Sequence, residues 1–442
     1  MVKSVTVIGG GLAGCEAAWQ IARQGIAVTL YEMKPNRFSP AHELPLLAEL
    51  VCSNSLRSNA VETAAGLLKE EMRQLGSLLM READANTVPA GTALAVDRQL
   101  FARSVTEAVE GHPLITVRRQ EVLRLPDPAD GPVILAAGPL LAGPLADDLQ
   151  RLTGGSHLAF YDAIAPIVDA DSLDSTVVYR KSRWNDESPG DYLNCPMTRE
   201  QYERFIALLG EAETVPLHSF EDPHYFEGCL PIEVMCERGP DTLRFGPMKP
   251  VGLAHPVTGE KFYAVVQLRA ENSEGTAYNL VGFQTKLTYG AQQRVFRTIP
   301  GLERAEFVRL GSIHRNSFVR APLVLDADLQ MQRAPGVFLA GQLSGVEGYI
   351  ESTAIGLLAG LHAARLVQGK PLINPPAGTA HGALIRHLTL SDPAHFQPSN
   401  INFGLFPPLV FTGRKLSKKE RGRQRAAQAL TLLRSWRERL EA

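Results

Sequence analysis

The sequence predicts an α/β fold, a split Rossmann-like dinucleotide-binding domain with an α+β domain inserted into it. Three observations predict it. The β-branched run Val5-Thr6-Val7-Ile8 stops at Gly9-Gly10-Gly11 and leads into helical spacing from Leu12 to Arg23. Two further strand-to-glycine turns lie far downstream, at Val133-Ile134-Leu135-Ala136-Ala137-Gly138 and Val337-Phe338-Leu339-Ala340-Gly341. Between them the character changes, with more aromatics, Pro-Gly turns and alternating segments such as Ala264 to Leu268. At 442 residues the chain is too long for one simple core. The expected boundaries are 1–150 and 305–442 for the split domain and 151–304 for the insertion.

The elements follow in order. Val5–Ile8, the helix from Leu12 and a second strand from Val28 to Tyr31 make a βαβ unit of about 30 residues, the expected size. A mixed loop holds Ala48 to Arg57. Apolar Leu67, Leu68, Met72, Leu75, Leu78 and Leu79 give residues 63–85 helical spacing. A further helix is expected from Asp97 to Glu110. After the insertion, a helix is expected from about Ser352 to Val367. From Lys415 the chain reads as a basic helix, preceded by Asn402-Phe403-Gly404-Leu405-Phe406-Pro407-Pro408.

Gly9-Gly10-Gly11-Leu12-Ala13-Gly14 fits G-x-G-x-x-G in the right context, after a strand and at the start of a helix. The first glycine permits the tight turn, the second lets backbone approach a pyrophosphate, and the third lets helix pack on strand. The helix N-terminus then offers N–H groups and a partial positive charge to phosphates. Glu32, ending the second strand, is placed to accept from an adenosine ribose. The later turns, with Ala137-Gly138 and Gly341-Gln342, resemble those that return to the cofactor in large, glutathione-reductase-like FAD-binding folds. There the second turn usually ends in Gly-Asp, and this chain carries Gln342 instead.

Composition narrows the function. Five cysteines without a C-x-x-C pair argue against a disulfide framework, a dithiol centre or a zinc site, so no metal is expected. The most apolar stretch, Val133 to Leu149, is broken by glycines and prolines, and no membrane partner is expected. The first strand begins almost at Met1, leaving no room for a signal peptide, and a reducing cytosol is the expected location. Between Arg414 and Arg439 ten Lys/Arg face two acids, a local net of +8 against −10 for the rest. That asymmetry points to a polyanionic partner.

Longer motifs are more restrictive. Glu49-Leu50-Val51-Cys52-Ser53-Asn54-Ser55, Phe226-Glu227-Gly228-Cys229-Leu230-Pro231-Ile232-Glu233, Phe245-Gly246-Pro247-Met248-Lys249-Pro250-Val251-Gly252-Leu253 and Gly345-Val346-Glu347-Gly348-Tyr349-Ile350-Glu351-Ser352 stand along the chain. With the N-terminal motif they resemble the folate- and FAD-dependent tRNA (uracil-5-)-methyltransferase family, within a wider MnmG-like flavoprotein group. The resemblance implies that 5,10-methylenetetrahydrofolate gives a one-carbon unit, NAD(P)H gives reducing equivalents through FAD, and the T-loop uridine of tRNA becomes 5-methyluridine. The chemistry is coherent. Uracil C5 is a poor nucleophile, and a thiolate adding at C6 activates it.

Cys229 is the expected nucleophile. Glu227 and Glu233 beside it would raise its pKa, so a cation such as Lys249 has to oppose them. The family implies a second active-site thiol at Cys52. Cys15, Cys195 and Cys236 read as small buried hydrophobes. Tyr349 reads either as a cover or proton donor at the flavin ring or as a packed aromatic. His314 and Arg315 read either as a folate contact, with imidazole on the pterin and guanidinium on the glutamate carboxylate, or as a hydrogen-bonded surface turn. Arg414, Lys415, Lys418, Lys419, Arg421, Arg423 and Arg425 are expected to meet tRNA phosphates. Phe403 and Phe406 read as core before base-stacking residues. The rival readings are an MnmG-like wobble-uridine enzyme, disfavoured by the short tail after the last FAD helix, a flavin reductase or monooxygenase without RNA, and a non-catalytic RNA-binding flavoprotein.

Overall fold

The computed structural model describes residues 4–154, 157–183, 190–216, 225, 230–408 and 417–441, with backbone alone for 157–160. Six strands build the first sheet, in the order Gln330–Met331, Ala334–Leu339, Val133–Leu135, Val5–Ile8, Val28–Tyr31 and Ile115–Arg118. Every neighbouring pair is parallel except the edge hairpin of Gln330–Met331 with Ala334–Leu339. The three glycine turns singled out in the sequence therefore follow three adjacent parallel strands and open at one end of the sheet. That end is where α/β folds hold nucleotides.

The helix Leu12–Arg23 crosses the helix Tyr349–Val367 behind this sheet. Their approach is set by small residues. A Cβ on Gly356 would lie 2.3 Å from the Ala13 carbonyl oxygen, and one on Gly360 would lie 2.7 Å from that of Ala17. The later helix begins at Tyr349, a turn before the expected Ser352. It is the one helix among the described residues long and apolar enough to cross a membrane, and its most apolar window is 83% buried within the protein. An all-round apolar helix is what a covered core position requires. This helix, expected from Ser352, is thus more continuously apolar than the glycine- and proline-broken stretch Val133–Leu149.

The expected helix over 63–85 is two helices, Ala64–Gln74 and Leu78–Ala85. Gly76 takes φ 72° between them, and the Ser77 hydroxyl restarts the second by accepting from the Met80 N–H. The C-terminal helix, Lys418–Glu441, buries Gly422, Ala426, Ala429, Leu433 and Trp436, an i, i+3/i+4 stripe. Its Trp436 indole donates to the Ile373 carbonyl.

A second six-stranded, antiparallel sheet runs Tyr179–Arg180, Tyr192–Met197, Ala264–Ala270, Ala277–Leu280, Ile167–Asp169, Phe307–Arg309. Its own apolar core includes Phe205, Phe283, Phe296, Val266 and Leu268. Between the two sheets the chain passes through His157–Ala163 and Ile313–Val319, which pair antiparallel along seven residues. The alternating segment Ala264 to Leu268 lies in the strand Ala264–Ala270, which is covered on both faces. One face carries Ala264, Val266 and Leu268 into the core. On the other, Gln267 and Arg269 are buried in hydrogen bonds to Asn194 and to Ser53 and Asn54.

Candidate active site

The first glycine turn is built by close approach. Gly9 adopts φ 107°, and a Cβ there would stand 2.3 Å from the Ala136 carbonyl oxygen. A Cβ on Gly14 would stand 1.8 Å from the Gly9 carbonyl oxygen. Gly11, by contrast, faces open space and caps the Leu12–Arg23 helix without a side-chain partner. An uncapped helix start beside open space is an anion cradle. Glu32 accepts from the Gly10 N–H at 2.8 Å and the Lys34 N–H at 2.9 Å. Each of its oxygens retains a lone pair for a ribose hydroxyl. Gly138 and Gly341 both take φ 75°. Gly138 also borders open space, so these residues fit a dinucleotide. Gln342, the departure from Gly-Asp, donates to Glu347 at 2.6 Å.

Cys52 and Tyr349, 297 residues apart, meet at this end of the sheet. The Tyr349 hydroxyl accepts from the backbone N–H of Cys52 at 2.7 Å and of Ser53 at 3.2 Å. Burial, then the neighbouring Cys52, push the phenol well above its usual range, with the Arg98 guanidinium opposing them. Arg98 is held by Glu271 at 2.9 Å and donates to the Leu50 carbonyl. Arg269 donates to Asn54 at 2.7 Å and Ser53 at 2.9 Å. Two buried guanidinium groups thus flank the half-buried thiol, an electropositive surround of the kind that suits reactive sulfur.

Glu347 is buried in the turn before Tyr349, and burial, then Asp162, push its carboxyl well above the usual range. Neither arginine stands out in the sequence, and Glu347 stands there only inside a motif. Nothing local marks the arginines. The one available signal was an acid within a glycine-flanked turn.

The segment between Cys52 and Ser58 is tied at both ends to the first turn of the Tyr349 helix. Arg57, at φ 65°, reaches Glu351 at 2.8 Å. Buried Lys69 donates to the carbonyls of Leu56 at 2.8 Å, Arg57 at 3.4 Å and Ser58 at 2.7 Å. Burial pushes the Lys69 ammonium down to about 7; Glu351 opposes this, and Arg57 and Arg73 add to it. Between that value and the ordinary lysine range the unfolded chain binds a proton that the folded chain has released. Wild-type stability therefore gains a term that rises with pH across this window and is absent from Lys69→Met. Denaturant titrations at about pH 6.5 and about pH 9.5 should show wild type gaining on the variant at the higher pH. A difference independent of pH would mean that Lys69 keeps its proton.

The remaining sequence candidates fall into place unevenly. Cys229, Glu227, Arg414 and Lys415 lie outside the described residues. Lys249 is exposed, and Glu233 is buried, accepting from Thr285 at 3.0 Å and from the Lys286 N–H. Cys15 and Cys195 are fully buried and Cys236 is partly buried. His314 and Arg315 belong to the strand Ile313–Val319, not to a surface turn. His314 pairs in register with Asp162, and burial, then Arg309, push its imidazole below the usual value. Arg315 is exposed. Lys418, Lys419, Arg421 and Arg423 are exposed on the C-terminal helix. Arg425 differs, since it donates to the Pro407 carbonyl at 2.9 Å and lies over Phe403 and Phe406. Those two rings pack edge-on at 5.4 Å, and Phe406 is buried.

The parallel sheet, its three glycine turns and the helix start that faces open space define the class of Rossmann-like, FAD-binding α/β proteins. Two structures of Aquifex aeolicus GidA share this fold. Their TM-scores are 0.68 and 0.69 at 17% and 18% identity, over 98% and 97% of this chain and 73% and 76% of theirs. Residues 4–371 match the family described as "Glucose inhibited division protein A". Relatives named "Methylenetetrahydrofolate--tRNA-(uracil-5-)-methyltransferase TrmFO" align nearly end to end. The one from Desulfotalea psychrophila is 59% identical over 437 residues, covering 99% of this chain and 98% of its own length. The one from Geobacter sulfurreducens is 58% identical over 436 residues, covering 99% of both. The chain belongs to the TrmFO methyltransferase family, within the glucose-inhibited division protein A group.

Proposed function

We propose that this chain methylates C5 of the T-loop uridine of tRNA, giving 5-methyluridine. The carbon comes from 5,10-methylenetetrahydrofolate and the reducing equivalents from NAD(P)H by way of FAD. The observation that carries this reading is the 59% identity, over almost the whole chain, to a relative of that name.

Gly9 to Gly14 and the helix start behind them hold the pyrophosphate, Glu32 the ribose, and the Ala137-Gly138 and Gly341-Gln342 turns close on the remainder. FAD bound there would supply the hydride that takes the transferred carbon to a methyl group. The Cys229 sulfur bonds to uracil C6, and the displaced ring electrons make C5 the nucleophile toward the incoming carbon. Loss of the C5 proton then drives the C6–S electron pair back to sulfur. Glu347, whose carboxyl burial pushes well above the usual range, and the Tyr349 hydroxyl beside Cys52 are the proton-bearing groups we assign at this end of the sheet. His314 and Arg315 contact the folate. Lys418, Lys419, Arg421 and Arg423, together with Arg414 and Lys415, bind tRNA phosphates, while Arg425 braces the tail they stand on. The buried target base has to leave its stack to reach the cleft. Residues 1–150 and 305–442 form the cofactor domain, and 151–304 complete the folate and RNA pocket.

Incubation with carbon-labelled methylenetetrahydrofolate, FAD, NAD(P)H and tRNA should place label in 5-methyluridine, read by nucleoside mass spectrometry. Label arriving from S-adenosylmethionine alone would overturn the proposal.

A further inference from the structure

The proposed mechanism gives no role to the Phe245 to Leu253 motif. It is an unusually well-held loop with an exposed crest. Met248 is fully buried beneath it, its N–H bonded to the Leu243 carbonyl and its own carbonyl accepting from Val265. Arg183 grips it from below, donating to the carbonyls of Lys249 and Val251 at 2.6 Å each and to Gln267 at 3.0 Å. Gly282 allows Pro247 to close on the neighbouring chain, since a Cβ there would stand 2.6 Å from the proline ring. The Leu253 carbonyl accepts from the Tyr179 hydroxyl. A backbone fixed this firmly has no need of exposed apolar side chains. Yet Phe245 is 73% exposed and Val251 47%.

Between these two, Lys249 is exposed. Behind Phe245, Arg244 stacks 3.9 Å from the Tyr263 ring centre and Arg199 lies over the same ring at 5.1 Å, each paired with a carboxylate, Asp241 and Glu203, at 3.7 Å. An exposed aromatic ring, an exposed lysine beside it and a rigid backbone are ingredients of a surface for single-stranded or splayed nucleic acid.

Its location supplies the second reason. Gln267, which Arg183 joins to the loop, lies two residues before Arg269 on one strand, so both side chains project from the same face about 7 Å apart. Arg269 in turn holds Ser53 and Asn54, next to Cys52. The loop and the thiol-bearing segment are therefore held by two neighbouring side chains of the single strand Ala264–Ala270.

We infer that the Phe245–Val251 loop is a docking lip for RNA at the mouth of the proposed active site, with Phe245 offering its ring to a nucleobase and Lys249 its ammonium to a phosphate. The inference rests on the tRNA substrate reading and adds a contact surface on a segment other than the basic C-terminal helix.

The test uses the full-length holoenzyme and unmodified tRNA in filter binding across a salt series. Phe245→Ala should weaken binding about tenfold, and Phe245→Trp should restore it, because stacking tolerates any flat ring. Lys249→Ala should lower the slope of log affinity against log salt by about one, a change that a purely structural role would not produce. Unaltered thermal midpoints and flavin content exclude misfolding as the cause. Wild-type affinity and slope in both alanine variants would overturn the lip. A Phe245→Ala protein that changes sedimentation but not RNA affinity would also overturn it, by showing the face to be a contact between copies. Failure of the wild type itself to bind tRNA would instead remove the substrate reading, and the lip with it.

Discussion

Cys229→Ala is expected to abolish transfer of the labelled carbon to uracil, by at least about a thousandfold, while flavin content and tRNA affinity stay unchanged. The size follows from the step removed. Without a nucleophile at C6, uracil C5 has no enolate character and does not attack a methylene, so no residual route of comparable rate exists. The surroundings of the other cysteines strengthen the expectation. Burial, first of all, raises the thiols of Cys15 and Cys195 far above their usual value and that of Cys236 in the same direction. Cys15 is further occupied with the Gly10 carbonyl. Cys52 lies beside the Tyr349 hydroxyl, which its own backbone N–H holds. That placement suits a proton-handling partner of the phenol.

A tRNA carrying 5-fluorouridine separates the two roles, because fluorine at C5 blocks proton loss and traps the sulfur–C6 bond. Wild type and Cys52→Ala should give a gel-stable adduct, and Cys229→Ala none. An adduct that survives in Cys229→Ala and disappears in Cys52→Ala would transfer the nucleophile to Cys52. It would also move the reaction to the cluster of Arg98, Arg269 and Tyr349.

What the sequence makes legible here is what short-range physics determines. Val5–Ile8, Leu12–Arg23 and Val28–Tyr31 fall where the strand–glycine–helix grammar puts them, because each boundary is set by residues within a few positions of it. The glycine turns after Leu135 and Leu339 are legible for the same reason. The site between them is less so. Arg98 and Arg269 gain their meaning from Leu50, Ser53, Asn54 and Glu271, partners that lie far off in sequence, and a lone arginine carries no local mark of a buried one. Arg425 shows the converse. It belongs to a run of charge that reads as one solvated face, yet the fold withdraws it over Phe403 and Phe406. The Tyr349–Val367 helix escapes a search for apolar runs because Glu351, His362 and Arg365 interrupt it, each buried with a partner of its own. The surface-turn alternative for His314 and Arg315 arises because polar residues crowd there. Their strand runs beside Asp162, and that pairing is not encoded locally.

Gly14→Ala is expected to purify colourless and to melt about 3 °C or more below cofactor-free wild type, whereas Gly11→Ala should also lose cofactor but melt like the cofactor-free wild type. The two glycines stand three residues apart in one motif and meet opposite surroundings. At Gly14 a methyl group would be placed 1.8 Å from the Gly9 carbonyl oxygen, with the Val7 side chain at 3.4 Å behind it. Neither can yield cheaply. Gly9 is fixed in turn against Ala136, and Val7 is a buried core residue. The helix itself has to shift by more than an ångström, and Ala13 on that helix already touches the backbone-to-backbone crossing at Gly356. Overpacking of this kind costs about 3 kcal/mol or more when rigid backbone is the obstacle. At Gly11 the added methyl meets nothing within 4 Å, and the residue's φ of −76° suits alanine, so the fold has no reason to weaken. The methyl instead occupies the space in front of the helix start, where a pyrophosphate has to approach the backbone N–H groups. Differential scanning calorimetry of apo proteins, with flavin absorbance after reconstitution, tells these effects apart. Full flavin binding by Gly11→Ala would mean that the phosphates do not enter through that opening, and the cradle would have to be sought at another of the three turns.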